Sequence, residues 1–130
     1  MDYIKIYETL EECKKGSFEG SSTFAEVVQK LAAVEVDYYY VDLKLLQSTY
    51  YFLNNNIVFL PFDYKPQFSP QFNINGVKTA ISRIREKKTN YVGFLDEICA
   101  AGCVGYICFI TGEKVVYFGA NGDMHIEPFK

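Results

Sequence analysis

The chain has 130 residues, with 13 Lys and Arg against 16 Asp and Glu, so its formal net charge is −3. This length fits a single domain of common size, and the negative charge gives no electrostatic reason to expect a nucleic-acid partner. No apolar run approaches the roughly 20 residues that span a bilayer, and the N-terminus lacks the pattern of a secretory signal. We therefore expect a cytoplasmic protein with no membrane association, whose four cysteines stay reduced.

The first part of the chain predicts two helices. Apolar residues recur at about helical spacing between Ile6 and Cys13, which indicates a short amphipathic helix that the loop at 16–22 should end. Thr23 followed three residues later by Glu26 has the sequence of a capping box. A second helix should therefore begin directly after Thr23.

Three strands joined by hairpin turns are predicted after this helix, and a connector follows them. The strands should cover residues 38–43, 48–53 and 57–60. The connector, at residues 63–72, contains Pro66 and Pro70, which exclude a helix there.

The second half of the chain predicts the same kinds of element. Asn73, flanked by apolar Phe72 and Val77, has the sequence of an N-cap with a hydrophobic staple. A second helix should run from Tyr91 to a stop at Gly102. Strands are predicted at residues 105–110, 114–120 and 124–127.

The two halves align as a tandem repeat. Residues 24–62 can be laid on residues 91–129 at a constant offset of 67 without a gap, and apolar positions meet apolar positions almost throughout. The matched pairs include Tyr39 with Tyr106, Tyr50 with Tyr117, Asn54 with Asn121, and Pro61 and Phe62 with Pro128 and Phe129.

The repeat predicts an α+β fold made of two α-α-β-β-β units related by an approximate twofold axis, with helices packed on antiparallel sheet. We expect one domain over residues 1–130, with repeat 1 at about 1–62 and repeat 2 at about 73–130. Units of this size are marginal alone and should share one core. The repeat leaves open whether their sheets are continuous.

Three segments of the chain resemble the YdfO-like family of small bacterial and prophage-encoded proteins. They read TFAEVVQKLAAVEVDYYYVDL, FNINGVKTAI and CVGYICFITGEKVVYFGANGDMHIEPF, and together they span most of the chain. The resemblance implies an α+β fold and an association with prophages. It implies no particular activity.

Cys99, Cys103 and Cys108 lie close together in the sequence and invite a zinc hypothesis. Only Cys13 and His125 remain to complete a four-ligand site. The equivalent positions of the first half are apolar, and free cysteine packs as a small hydrophobic residue. We therefore expect buried thiols, with no metal and no cofactor.

His125 is the only histidine of the chain. If residues 124–127 form a strand, Asp123, His125 and Glu127 share one face and Met124 and Ile126 point to the core. An acid, a base and a second acid on one face could perform general acid–base catalysis or hold an ion. The alternative is the solvated face of an antiparallel sheet.

Tyr38, Tyr40 and Asp42 share a face of the first predicted strand, and the other face of that strand is also apolar. Two apolar faces indicate a strand that is covered on both sides. Helices should cover one face, and the second half of the chain, a dimer partner or a ligand should cover the other. These three residues are our candidates for a binding site or an interface.

The basic residues of the chain concentrate in one place, at residues 83–88. Helical geometry spreads them along a solvated face, and no aromatic stacking motif accompanies them, so nucleic-acid binding is not expected.

These patterns favour a small protein without enzymatic activity that binds a protein partner or associates with itself, as a homodimer, through its tyrosine-rich sheet. The alternative is a small-molecule-binding protein or an enzyme that uses a cleft between the two repeats. That alternative would use Tyr38, Tyr40 and Asp42, together with His125 and Glu127.

Overall fold

The computed structural model of the protein describes residues 2–130, which form four α helices and six β strands. The first half contains α1 (Tyr3–Glu19), α2 (Phe24–Ala33), β1 (Val36–Asp42), β2 (Gln47–Phe52) and β3 (Ile57–Pro61). The second half contains α3 (Ile74–Arg85), α4 (Tyr91–Ala100), β4 (Cys103–Phe109), β5 (Lys114–Gly119) and β6 (Met124–Pro128).

All six strands belong to one antiparallel sheet in the order β3-β2-β1-β4-β5-β6. β1 and β4 pair at its centre, where Tyr40 lies opposite Ile107. The sheets of the two halves are therefore continuous. The predicted α+β class, with helices packed on an antiparallel sheet, is confirmed.

The hydrophobic core lies between the helices and one face of the sheet. Tyr39, Val41, Leu60 and Val115, which alternate with the residues of the other face, are all buried on the helix side. The largest fully buried side chains are Leu10, Leu31, Leu43, Leu95, Ile98 and Val77, together with the thiols of Cys99, Cys103 and Cys108. The connector between the halves is tied to α4, because Tyr64 donates a hydrogen bond of 2.5 Å to Asp96.

The predicted helix starts are confirmed. The Thr23 hydroxyl accepts a hydrogen bond from the Glu26 amide, and the Glu26 carboxylate accepts one from the Thr23 amide at 2.9 Å. Asn73 accepts from the amide of Gly76 at 3.0 Å and caps α3. Among residues 2–130, no helix is both long and apolar enough to cross a membrane.

The predicted end of the first helix is wrong. Gly16 is a buried residue inside α1, and the helix ends at Gly20, whose φ of 74° is the left-handed conformation that caps a helix. Gly16 instead provides room for a close approach, because a Cβ there would collide with the Ser22 side chain. The predicted strands agree with the structure within two residues at each end.

We predict that Glu35→Gly stabilises the protein by about 0.5–1 kcal/mol, since Glu35 has a φ of 69° that a side chain disfavours. Glu35 is exposed, so little packing is lost. Gly102→Ala should destabilise the protein by about 2 kcal/mol, because Gly102 has a φ of 81° and a Cβ would collide with the Gln71 carbonyl oxygen. Chemical denaturation measures both. A loss of stability in Glu35→Gly would contradict the conclusion that the left-handed backbone at Glu35 is strained.

Candidate functional site

The sheet face opposite the helices exposes large apolar side chains at both of its edges. We call it the open sheet face. It consists of three positions on each strand: Ile57, Phe59 and Pro61; Gln47, Thr49 and Tyr51; Tyr38, Tyr40 and Asp42; Gly105, Ile107 and Phe109; Lys114, Val116 and Phe118; and Met124, Ile126 and Pro128.

Aromatic rings pack against one another across the centre of the open sheet face. The Tyr38 ring stacks between those of Tyr51, at 4.5 Å, and Phe109, at 5.6 Å. The rings of Tyr40 and Phe118 lie 5.8 Å apart, over Gly105. A Cβ on Gly105 would be only 2.9 Å from the Tyr40 ring, so the glycine makes room for this contact. The centre of the face is therefore an ordered aromatic surface.

The outer strands carry the most exposed apolar side chains of this face. Ile57 and Phe59 on β3, and Met124 and Ile126 on β6, are between 52% and 59% exposed. They stand at opposite edges of a six-stranded sheet, so the apolar surface extends across its full width.

Tyr38, Tyr40 and Asp42, the predicted binding residues, lie together on the open sheet face and do not line a cavity. The Asp42 carboxylate accepts hydrogen bonds from the backbone amides of Lys44 and Leu45, both at 3.0 Å. Asp42 therefore holds the turn after β1. Burial and the neighbouring Asp42 raise the pKa of Tyr40 to about 12, so Tyr40 is neutral at physiological pH.

The predicted orientation of β6 is wrong. Tyr117 lies opposite His125, and Val115 lies opposite Glu127, so both polar residues face the helices. Met124 and Ile126 face outward, although we expected them in the core. The repeat contained the signal for this orientation, since Leu60, which occupies the position of Glu127 in the first half, is buried.

His125, Glu127 and Arg85 form a chain of polar contacts between β6 and α3. Nε2 of His125 lies 2.8 Å from Oε1 of Glu127, and Nη1 of Arg85 donates to Oε2 of Glu127 at 2.6 Å. Burial alone would raise the pKa of Glu127, but hydrogen bonds from His125 and Arg85 and the charge of Arg85 lower it overall. The third predicted member, Asp123, is exposed in the turn before β6 and does not join them.

A cavity of about 680 Å³ lies on the helix side of the sheet, between the helices of the two halves. Four buried tyrosines from the central and inner strands line it, and we call them the tyrosine quartet: Tyr39, Tyr50, Tyr106 and Tyr117. The rings of Tyr39 and Tyr50 are 5.6 Å apart, and those of Tyr106 and Tyr117 are 5.5 Å apart. The alternative prediction placed a small-molecule site in a cleft between the two halves, but of the residues that it named only Glu127 lines this cavity. The tyrosine quartet was not predicted, although the alignment of the halves matches these tyrosines in pairs.

All four cysteines are buried and free. Burial raises the pKa of the Cys99 thiol to about 12 and that of Cys103 to about 11. The Cys103 sulfur donates a hydrogen bond to the carbonyl oxygen of Gly105 at 3.1 Å. Within residues 2–130, no group of three or more histidine, cysteine or acidic side chains is placed to hold a metal ion.

The basic residues at the end of α3 are engaged in ion pairs. Arg83 donates to Glu97 at 2.8 Å, and Lys88 lies 3.1 Å from Glu86. Together with the pair of Arg85 and Glu127, these contacts neutralise most of the positive charge of residues 83–88.

Comparison with protein-family models and with curated proteins gives no match to this chain. The resemblance to the YdfO-like family therefore stays a prediction.

We predict that Glu127→Gln lowers the free energy of unfolding by about 1 kcal/mol at pH 7. Because the pKa of Glu127 is lowered in the folded state, its contribution is present above the ordinary value of 4.5 and is lost as the pH falls below it. The difference in unfolding free energy between the wild type and Glu127→Gln should therefore shrink as the pH falls below 4.5. Urea denaturation from pH 7 to pH 3 measures it.

Glu113→Gln is the matched control, because Glu113 is exposed and makes no ion pair with any residue in the range 2–130. The control should show little difference at any pH. A constant difference between wild type and Glu127→Gln over the whole range would contradict a role for the ionised carboxylate.

Proposed function

We propose that this protein is a non-enzymatic interaction module that forms a homodimer through the open sheet face. The observation that carries the proposal is the exposure of large apolar side chains across the whole width of that face. Four of them, on the outer strands, are more than half exposed. Contiguous apolar patches of this kind on a soluble protein mark sites of interaction.

The size of the open sheet face matches that of a stable interface. Six strands about 4.8 Å apart, each contributing about 17 Å of its length, cover roughly 500 Å² in projection. The accessible surface of the side chains that stand on this area is larger than the projection. A standard protein interface buries about 800 Å² on each partner.

The distribution of charge over the face also resembles that of an interface. Its two charged residues, Asp42 and Lys114, lie in the outer rows, at the ends of their strands. The middle row has no charge: it consists of Phe59, Thr49, Tyr40, Ile107, Val116 and Ile126. An apolar centre with polar groups at the rim is typical of protein interfaces.

A second copy of this chain is the partner that fits the face best. A peptide or a single helix would cover only a stripe of a six-stranded sheet. A second sheet of the same width can cover all of it, as in the face-to-face packing of β-sandwiches. Homodimers with twofold symmetry use the same patch on both subunits, so no other surface is needed.

We also propose that the two α-α-β-β-β units are tandem repeats related by an approximate twofold axis. α2, β1, β2 and β3 each recur with the same length 67 residues later. The eight residues with positive φ form four pairs at the same offset: Gly20 with Lys87, Glu35 with Gly102, Leu46 with Glu113, and Asn55 with Gly122. Tyr40 and Ile107, which also differ by 67, pair at the centre of the sheet.

The proposal extends to the setting of the protein. The family resemblance supports a bacterial, prophage-derived protein of the cytoplasm with a regulatory role through its contacts. The ion pairs of the basic segment support a function that does not involve nucleic acid.

We predict that Phe59→Glu converts the dimer to a monomer, because it would bury a charge in the apolar middle row. Phe59 is 59% exposed, so the isolated chain should still fold. Light scattering coupled to gel filtration, over a range of protein concentrations, measures the mass. Tyr40→Glu, at the centre of the sheet, should have the same effect.

Ile74→Glu is the matched control, because Ile74 is an exposed apolar residue on the helix side of the molecule. It should leave the dimer intact. A wild-type protein that stays monomeric at every concentration would overturn the proposal, and so would a dimer that Phe59→Glu does not weaken.

A further inference from the structure

The cavity on the helix side is a second feature, separate from the open sheet face. Its volume of about 680 Å³ lies within the about 300–1,000 Å³ that small-molecule sites occupy. The floor is the helix-side face of the sheet with its tyrosine quartet. The walls are apolar residues of the helices, among them Val27, Leu31 and Phe94.

The hydroxyl groups of the tyrosine quartet differ in their partners. The Tyr106 hydroxyl lies 2.6 Å from that of Tyr91. The hydroxyls of Tyr39 and Tyr50 interact with the Cys108 thiol and the Ser48 hydroxyl. Tyr117 is only 7% exposed, lines the cavity, and makes no hydrogen bond to any described residue.

Among the described residues, no fully buried side-chain nitrogen or oxygen lacks a hydrogen-bond partner, so the Tyr117 hydroxyl, which has none, is open to the cavity and not sealed in the core. Burial raises the pKa of Tyr117, so the hydroxyl stays protonated and can donate a hydrogen bond. Arg85 is close enough to Tyr117 that its positive charge partly opposes this rise in the pKa. A donor next to a positive charge is suited to an anionic acceptor.

The charges that line the cavity have the opposite sign to the whole chain. Three cationic residues, Lys14, Arg85 and Lys87, stand against one acidic residue, Glu127, which gives +2 against −3 for the protein. Lys14 is paired with Glu11, and Arg85 with Glu127. Lys87 has no ion pair within residues 2–130.

We propose that the cavity binds a small amphipathic organic anion, with a carboxylate head and an apolar body. The carboxylate accepts a hydrogen bond from the Tyr117 hydroxyl and lies in the positive field of Arg85 and Lys87. The apolar body packs between the tyrosine quartet and the side chains of Val27, Leu31 and Phe94.

This inference is independent of dimerisation, because the cavity and the open sheet face lie on opposite sides of the sheet. Both properties can hold, and either can fail alone. Binding should therefore be measured on the wild-type protein and on Phe59→Glu, so that the result does not depend on the oligomeric state.

The test uses three ten-carbon probes with the same tail: decanoate, decanol and decyltrimethylammonium. We expect decanoate to bind once per chain in calorimetry, decanol at least tenfold more weakly, and the cation not at all. Equal binding of all three would overturn the proposed recognition of an anion. An absence of decanoate binding would overturn the site.

The location of the bound probe is read from methyl NMR signals. Val27, Leu31 and Val115 line the cavity, whereas Ile57, Ile126 and Val116 lie on the open sheet face. Decanoate should shift the first group and leave the second unchanged. Shifts confined to the second group would overturn the assignment.

Two variants test the named contacts. Tyr117→Phe removes one hydroxyl and should weaken decanoate binding about tenfold, with little effect on decanol. Tyr51→Phe is the matched control on the opposite face of the sheet and should bind as the wild type does. Equal affinities for decanoate in Tyr117→Phe and wild type would overturn the role of Tyr117.

Lys87→Gly removes the free positive charge without straining the fold, because Lys87 has a φ of 58°. We expect decanoate binding about threefold weaker at low salt and a difference that disappears at high salt. The outcome that contradicts this role is equal binding of decanoate to both proteins at low salt.

Discussion

The antiparallel pairing of β1 with β4 is the interaction on which the rest of the structure depends. It joins strands from the two halves of the chain, with Tyr40 opposite Ile107, and so creates one sheet of six strands. The four helices pack on one face of that sheet. The other face remains open, and the layer between helices and sheet holds the cavity with its tyrosine quartet. Both features considered as binding sites are consequences of this one pairing.

The energetic argument for a partner follows from the area of the open sheet face. At about 25 cal/mol per Å², each ~100 Å² of apolar accessible surface that a partner covers contributes about 2.5 kcal/mol of transfer free energy. Association also costs an estimated 4–15 kcal/mol, because the partners lose translational and rotational freedom and side chains at the interface become ordered. Only a partner that covers much of the face leaves a favourable balance, and this is why a second sheet fits better than a peptide.

Local sequence signals predicted most of the helices and strands, but they did not predict which face of each strand the helices cover. Thr23 with Glu26 and Asn73 marked helix starts because a cap depends on a few neighbouring residues. Alternation in a strand shows that two faces differ, yet it does not show which face the helices cover. In β6 one face was apolar and the other polar, so we placed Met124 and Ile126 inside, whereas they are outside. The candidate site depends on this orientation, because Glu127 lines the cavity only when its face of β6 points toward the helices. Tyr38 and Tyr40 were correctly grouped on one face, but their surroundings depend on long-range packing that no short segment encodes.

Differences between the two halves, more than their likeness, distinguish the cavity. Tyr50 and Tyr117 occupy equivalent positions, but Ser48 beside Tyr50 corresponds to Val115 beside Tyr117. The change from serine to valine removes the hydroxyl that could have satisfied Tyr117. A phenylalanine at position 117 would fill nearly the same volume, but it would present no hydrogen-bond donor to the cavity. Arg85 has no basic counterpart in the first half, where Phe18 occupies the equivalent position. A hydroxyl with no hydrogen-bond partner among the described residues and an added positive charge therefore occur on the same side of the cavity. The cavity is asymmetric, although the two halves of the chain have the same order of helices and strands.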